Sequence, residues 1–179
     1  LKDLLDMTTQ PFKVAIALFG ATGDLSRRKL LPSIFHLFQE GSLKDDFALI
    51  AVGRRDMEDA DFREVARNSI SDNDKLESLE GLEAFLQHIH YVKVSVTDSA
   101  SYAALKEKFD SVEKMYDTAG NRLFYLAMPP QFFTAITDSL RISGVTETEG
   151  YKKLIIEKPF GKDYESAHRL NEDISKSFM

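Results

Sequence analysis

The sequence predicts a doubly wound α/β fold, a mainly parallel sheet with helices on both faces, and three observations predict it. Short, continuously apolar runs recur at 14–19, 47–52, 123–128 and 154–156, each the pattern of a strand covered on both sides. Longer stretches lie between them, with apolar residues three and four apart, as on one face of a helix. Each run is cut off by glycine, proline or a charged cluster, so the unusual residues gather at strand carboxyl ends, where an open parallel sheet binds its ligands.

Residues 1–12 show no decisive period and are expected to be an N-terminal tail; residues 13–179 are expected to form one domain. Val14-Ala15-Ile16-Ala17-Leu18-Phe19 is the first strand, and Gly20 stops it. Leu30, Leu31, Ile34, Phe35, Leu37 and Phe38 form the apolar stripe of a helix ended by Gly41. Because Pro32 is harmless only in a first turn, the regular helix is expected to begin near Leu31, after a tight turn from Gly23. The run 47–52 is the second strand, and the βαβ unit it completes calls for a right-handed crossover. Helices are expected over 59–70 and 74–88, a strand over 89–96, and a helix over 99–115. The strand 123–128 ends at Pro129-Pro130. A helix over 131–141, a strand over 154–156 and a helix over 163–179 complete the pattern.

Composition bounds the function. Thirteen Phe and six Tyr in 179 residues supply a real core and exclude general disorder. A net charge of −6 removes the broad cationic field of a nucleic-acid or membrane-surface binder, so neither partner is expected. With no cysteine, disulfides, thiolate metal sites and cysteine nucleophiles are excluded. No apolar run approaches about 18 residues, and a cytoplasmic protein is expected. None of the four histidines shows metal-ligand spacing or a convincing carboxylate partner in the sequence, and no metal is expected.

Gly20-Ala21-Thr22-Gly23-Asp24-Leu25-Ser26 joins the first strand to the first helix. Gly20 permits a sharp turn, Gly23 lets a pyrophosphate approach backbone N–H groups, and the small Ser26 allows close packing. Thr22 and the amides are the expected ligand contacts, with Asp24 capping the helix; a plain βα turn reads the same way. Arg54-Arg55 follows the second strand, where an NAD enzyme generally places an acidic residue for the ribose 2′-hydroxyl. Guanidinium suits a 2′-phosphate, so NADP is favoured and NAD remains possible. The alternative is two solvated arginines pairing with Asp56 or Glu58. Pro129-Pro130 offers a rigid apolar surface to a nicotinamide ring, or simply terminates a strand. Lys158, at the last strand end, could donate to a substrate oxygen or serve a surface ion pair. Lys29 lies opposite the helix's apolar stripe, exposed by default and able to meet an anionic substrate.

These motifs together, Phe19 to Ser26, Arg28-Lys29-Leu30-Leu31-Pro32, Phe124-Tyr125-Leu126-Ala127-Met128-Pro129-Pro130 and Ile156-Glu157-Lys158-Pro159-Phe160-Gly161, closely resemble the glucose-6-phosphate dehydrogenase family in order and spacing. The resemblance implies a Rossmann-like coenzyme domain with Gly20 to Ser26 at the pyrophosphate and Arg54, with Arg55 beside it, at the 2′-phosphate. It implies Pro129 and Pro130 at the nicotinamide, and Ser95 and Val96 near the adenine. By the same comparison Lys158 lies between coenzyme and sugar phosphate, in a catalytic and substrate-binding role, and Lys29 near the substrate. The family reaction moves a hydride from C1 of glucose 6-phosphate to NADP+ and gives the lactone, in homodimers or homotetramers. The family's Asp-His-Tyr-Leu-Gly-Lys motif, with its general-base histidine, is not in these residues. They are therefore expected to be the amino-terminal coenzyme domain without the substrate and dimer domain, binding coenzyme with negligible turnover. Two alternatives stand beside this one: the coenzyme domain of an inositol or sugar dehydrogenase with a Glu-Lys-Pro motif, and a non-catalytic NADP-binding sensor.

Overall fold

The computed structural model describes residues 11–157 and 164–178. Five strands, β1 (Phe12–Phe19), β2 (Leu43–Gly53), β3 (Ile89–Lys93), β4 (Arg122–Leu126) and β5 (Lys152–Ile156), form one sheet in the order β3-β2-β1-β4-β5. Every pairing is parallel. The strand order reverses between β1 and β4, which makes their carboxyl ends the switch point of the sheet.

Both faces are covered because the strands alternate residues into two cores. Val14, Ile16 and Leu18 of β1, with Phe47, Leu49 and Ala51 of β2, pack on one face against α1 (Leu31–Gln39), α2 (Asp59–Ser71) and α3 (Leu82–Leu86). Ala15, Ala17 and Phe19, with Ala48, Ile50 and Val52, meet α4 (Tyr102–Met115) and α5 (Phe133–Ile142) on the other. Ile174 and Phe178 of α6 (Tyr164–Phe178) join this second core. Fully burying one such side chain stabilises the fold by about 1.5–3 kcal/mol, so both faces of the sheet contribute to holding it together.

The departures from expectation trace to particular contacts. β1 starts at Phe12, which pairs with Leu43, so residue 12 belongs to the sheet rather than to a tail. Residues 1–10 lie outside those described. The expected helix over 74–88 is reduced to α3, because side chains of the preceding loop and of α1 satisfy the backbone in another way. Lys75 N–H donates to Asn73 Oδ1 at 3.0 Å, Glu80 N–H donates to Ser78 Oγ at 3.0 Å, and the Gln39 amide donates to the carbonyls of Ser78 and Glu80. Gly81 then turns the chain at φ +82°.

The regular helix α1 begins at Leu31, as expected, but helical backbone already starts at Asp24, and a π-helical turn over Ser26–Leu30 stands where a tight turn was expected. Leu31 N–H reaches back five residues to Ser26 O. Pro32 has no N–H to offer the Arg28 carbonyl four residues earlier, and Asn73 Nδ2 donates to that carbonyl at 3.2 Å. The proline is thus accommodated inside a continuous helical path by widening one turn and importing one donor.

At the edge strand β3, His90 is buried, its Nδ1 3.4 Å from Asp59 Oδ2 and its Nε2 3.1 Å from the Tyr116 hydroxyl. Burial holds the His90 pKa below the ordinary histidine value, with Arg63 and Lys108 acting in the same sense and Asp59 opposing them. The unfolded chain therefore takes up the proton first, and stability is fully present above about pH 6.5 and falls as the pH drops below it. The unfolding free energy from denaturant titration should stay level down to about pH 6.5 and then fall by up to about 1.4 kcal/mol per pH unit, and His90→Gln should flatten that slope. An identical slope in the variant would remove His90 as its source.

Candidate functional site

The parallel register brings the strand carboxyl ends level. Phe19 lies between Val52 and Leu126, Gly53 faces Lys93, and Leu126 faces Ile156. Backbone bonds carry the ladder one residue further: Ala127 N–H donates to Phe19 O at 3.0 Å and Val94 N–H to Gly53 O at 2.8 Å. The motif segments after β1, β2, β3 and β4 therefore emerge along one edge, and Glu157 follows β5 there.

Gly20 adopts φ +78°, and a Cβ at this position would lie 2.3 Å from Ala127 O, so only glycine lets β1 turn while pressed against β4. Ser26 is fully buried, and its hydroxyl donates to Gly20 O at 2.8 Å, tying the helix back onto the turn. Gly23 and Asp24 are exposed, and Arg27 N–H, donating to Gly23 O, makes the first intrahelical bond. The amides of Asp24, Leu25 and Ser26 precede it. Among the described residues no backbone acceptor takes them, and with the helix dipole they attract an anion.

Asp24 does not cap this helix. It is the first helical residue, exposed, and its carboxylate accepts from Arg28 Nη1 at 3.2 Å. Ala21 is buried and Thr22 half-buried beside the same turn.

Arg54 and Arg55 are exposed, and among the described residues neither forms an ion pair; Asp56 instead takes Lys93 at 3.4 Å. Two unspent guanidiniums thus stand at the end of the strand next to the glycine turn. Ser95 and Val96 follow β3 in a turn closed by Ser101, whose hydroxyl accepts from Ser95 N–H at 3.1 Å, and by Tyr102, which donates to Val96 O at 3.0 Å. Pro129 and Pro130 are exposed just past β4 and open a 3-10 turn, Pro130–Phe132, ahead of α5. Lys158 lies outside the described residues.

Lys29 is exposed on the π-helical turn. It lines a groove of about 600 Å³ with Arg28, Pro32, Asn73, Lys75 and Tyr125. Tyr125 donates from its hydroxyl to Glu157 Oε1. Burial and that facing carboxylate push the Tyr125 pKa up, so the hydroxyl stays a donor. Sequence reasoning passed over Tyr125 and this groove, although a tyrosine inside a buried strand demands a partner for its hydroxyl.

A parallel 3-2-1-4-5 sheet with a glycine turn and an open helix N-terminus at its switch point defines a dinucleotide-binding domain of the Rossmann type. Residues 17–179 match the family model for glucose-6-phosphate dehydrogenase, NAD binding domain, and the chain belongs to that family. It is 43% identical over 171 residues to the glucose-6-phosphate 1-dehydrogenase of Bacillus subtilis and 40% identical over 168 residues to that of Leuconostoc mesenteroides. Those alignments cover 96% and 93% of this chain and 34% of each relative, so the chain spans about a third of their length. A solved glucose-6-phosphate dehydrogenase in complex with its substrate glucose 6-phosphate superposes with a TM-score of 0.81 at 32% identity, over 96% of this chain and 36% of the other. A glucose-6-phosphate 1-dehydrogenase from Mycobacterium avium gives 0.79 at 27% identity, over 93% and 34%. The family assignment sets aside the inositol or sugar dehydrogenase alternative. Among the described residues, no helix is long and apolar enough to cross a membrane.

Proposed function

We propose that this chain holds NADP+ along its sheet edge for the oxidation of glucose 6-phosphate at C1, within a longer cytoplasmic protein that assembles as a homodimer or homotetramer. The observation that carries the reading is the Gly20 turn, whose missing Cβ leaves β4 against β1 and the helix amides open at the switch point. Those amides take the pyrophosphate. Arg54, with Arg55 beside it, takes the 2′-phosphate, Ser95 and Val96 border the adenine, and Pro129 and Pro130 support the nicotinamide. When bound, the coenzyme supplies the hydride acceptor.

The protein's own residues bind and orient. A rigid apolar surface at Pro129-Pro130 and a fixed pyrophosphate hold the two ends of the coenzyme, the positioning from which hydride transfer gains most. Lys29, with Lys158, places the sugar phosphate, and its position in a groove lined by Arg28 and Lys75 favours a dianion. No residue among those described is assigned as the base for the C1 hydroxyl proton.

Titration with NADP+ and NAD+ tests the coenzyme assignment. Arg54→Ala should weaken NADP+ about 10- to 100-fold, as expected for losing a charge-assisted bond, and leave NAD+ nearly unchanged. A preference for NADP+ that survives the substitution would detach Arg54 from the 2′-phosphate.

A further inference from the structure

The backbone of the Arg54-Arg55 turn is fastened although its guanidiniums are not, and the fastener is Tyr91 of β3. This residue is only 3% exposed, and its hydroxyl donates to the Arg55 carbonyl at 2.7 Å. Its own backbone N–H donates to Asp59 Oδ1, also at 2.7 Å, at the first residue of α2. Its ring stacks on Phe62 of the same helix, centroids 5.6 Å apart and planes 22° from parallel. One residue therefore grips both the turn that leaves β2 and the helix that receives it.

Gly53 makes the grip possible. A Cβ there would lie 2.6 Å from the Tyr91 hydroxyl oxygen, so a side chain at 53 would push that oxygen off the Arg55 carbonyl. The arginines on this fixed backbone remain exposed and free of carboxylates among the described residues. A backbone held in place under unspent cations meets an anion with less ordering left to do, and ordering is a main cost of binding.

We propose that Tyr91 is a positioning residue for coenzyme specificity: its hydroxyl fixes the Arg55 carbonyl, and with it the pose in which Arg54 meets the 2′-phosphate. The proposal rests on the assignment of Arg54 to that phosphate. Because the turn serves only the phosphorylated ribose end, the hydroxyl acts on NADP+ and not on NAD+, and does so through the main chain.

The experiment is a titration of both coenzymes against the protein and its Tyr91→Phe, Arg54→Ala and doubly substituted variants. Tyr91→Phe should weaken NADP+ about 3- to 10-fold while NAD+ stays within about twofold. The double variant should bind NADP+ no more weakly than Arg54→Ala alone, since the hydroxyl works through that arginine. Equal weakening of both coenzymes, or a loss that adds in full to that of Arg54→Ala, would overturn the proposal and leave Tyr91 a structural residue only. An Arg54→Ala protein that keeps its NADP+ preference would instead overturn the phosphate assignment itself, and the role of Tyr91 with it. If Tyr91→Phe does not fold, Gly53→Ala carries the test, because it displaces the same oxygen from the other side. The same selective loss is then expected, and its absence would be decisive against the proposal.

Discussion

Gly20→Ala is expected to abolish measurable coenzyme binding and to destabilise the fold by on the order of 3 kcal/mol. Two costs combine. The φ of +78° is a left-handed conformation that costs an alanine about 1–2 kcal/mol, and the new methyl would stand 2.3 Å from Ala127 O, a main-chain atom with no side-chain freedom to yield. Relief requires β1 and β4 to separate where Ala127 N–H donates to Phe19 O, which also moves the helix amides that receive the pyrophosphate. Gly23→Ala is the control. Its Cβ would lie 3.1 Å from Gly20 O at an exposed position without positive φ, so it should weaken binding and leave the denaturation midpoint nearly unchanged. Denaturant unfolding and NADP+ titration on the two variants check this; undiminished binding by Gly20→Ala would show that the turn does not hold the coenzyme.

What the sequence makes legible is what a few adjacent residues decide by themselves. The apolar runs of β1, β2 and β4 announce strands because burial on both faces leaves no polar positions, and Gly20 announces a turn because its conformation is a property of one residue. From these the strand ends, and so the edge that carries the site, follow with little further information. Contacts between distant segments leave no such trace. The helix expected over 74–88 has acceptable periodicity, yet bonds made by Asn73, Ser78 and Gln39 settle the loop differently. Pro32 signals trouble in the first helix, but its resolution depends on Asn73, forty-one residues later, reaching the orphaned Arg28 carbonyl. Asp24 has the chemistry of a cap and is drawn to Arg28 instead. The role of Tyr91 becomes visible only when β3 lies beside Gly53.

Arg122 is the extreme case, a charge at the start of a buried strand that nothing nearby in sequence explains. In the fold it is 5% exposed, and all three of its nitrogens are engaged. Nε and Nη2 donate to the Glu113 carboxylate at 2.8 and 3.0 Å, Nη1 donates to Val145 O at 2.8 Å, and the guanidinium lies 4.8 Å from the centre of the Phe109 ring. It therefore joins β4, α4 and the segment after α5. Arg122→Met removes the bonds and strands a half-buried carboxylate, and should cost about 2–4 kcal/mol, toward the lower end of a broken buried pair because Glu113 retains some solvent. A fall in Tm on the order of 10 °C corresponds to this. Adding Glu113→Leu should restore part of the loss, since a buried pair often costs more to break than to replace by apolar groups. Coenzyme affinity of the folded protein should not change: Arg122 pairs with Ala15 and Lys152 at the amino ends of the strands, the opposite edge of the sheet from Gly20. If the double substitution proved less stable than Arg122→Met alone, the destabilisation would come from lost packing around the guanidinium rather than from the stranded charge, and the ion pair would cease to explain why arginine occupies a buried strand.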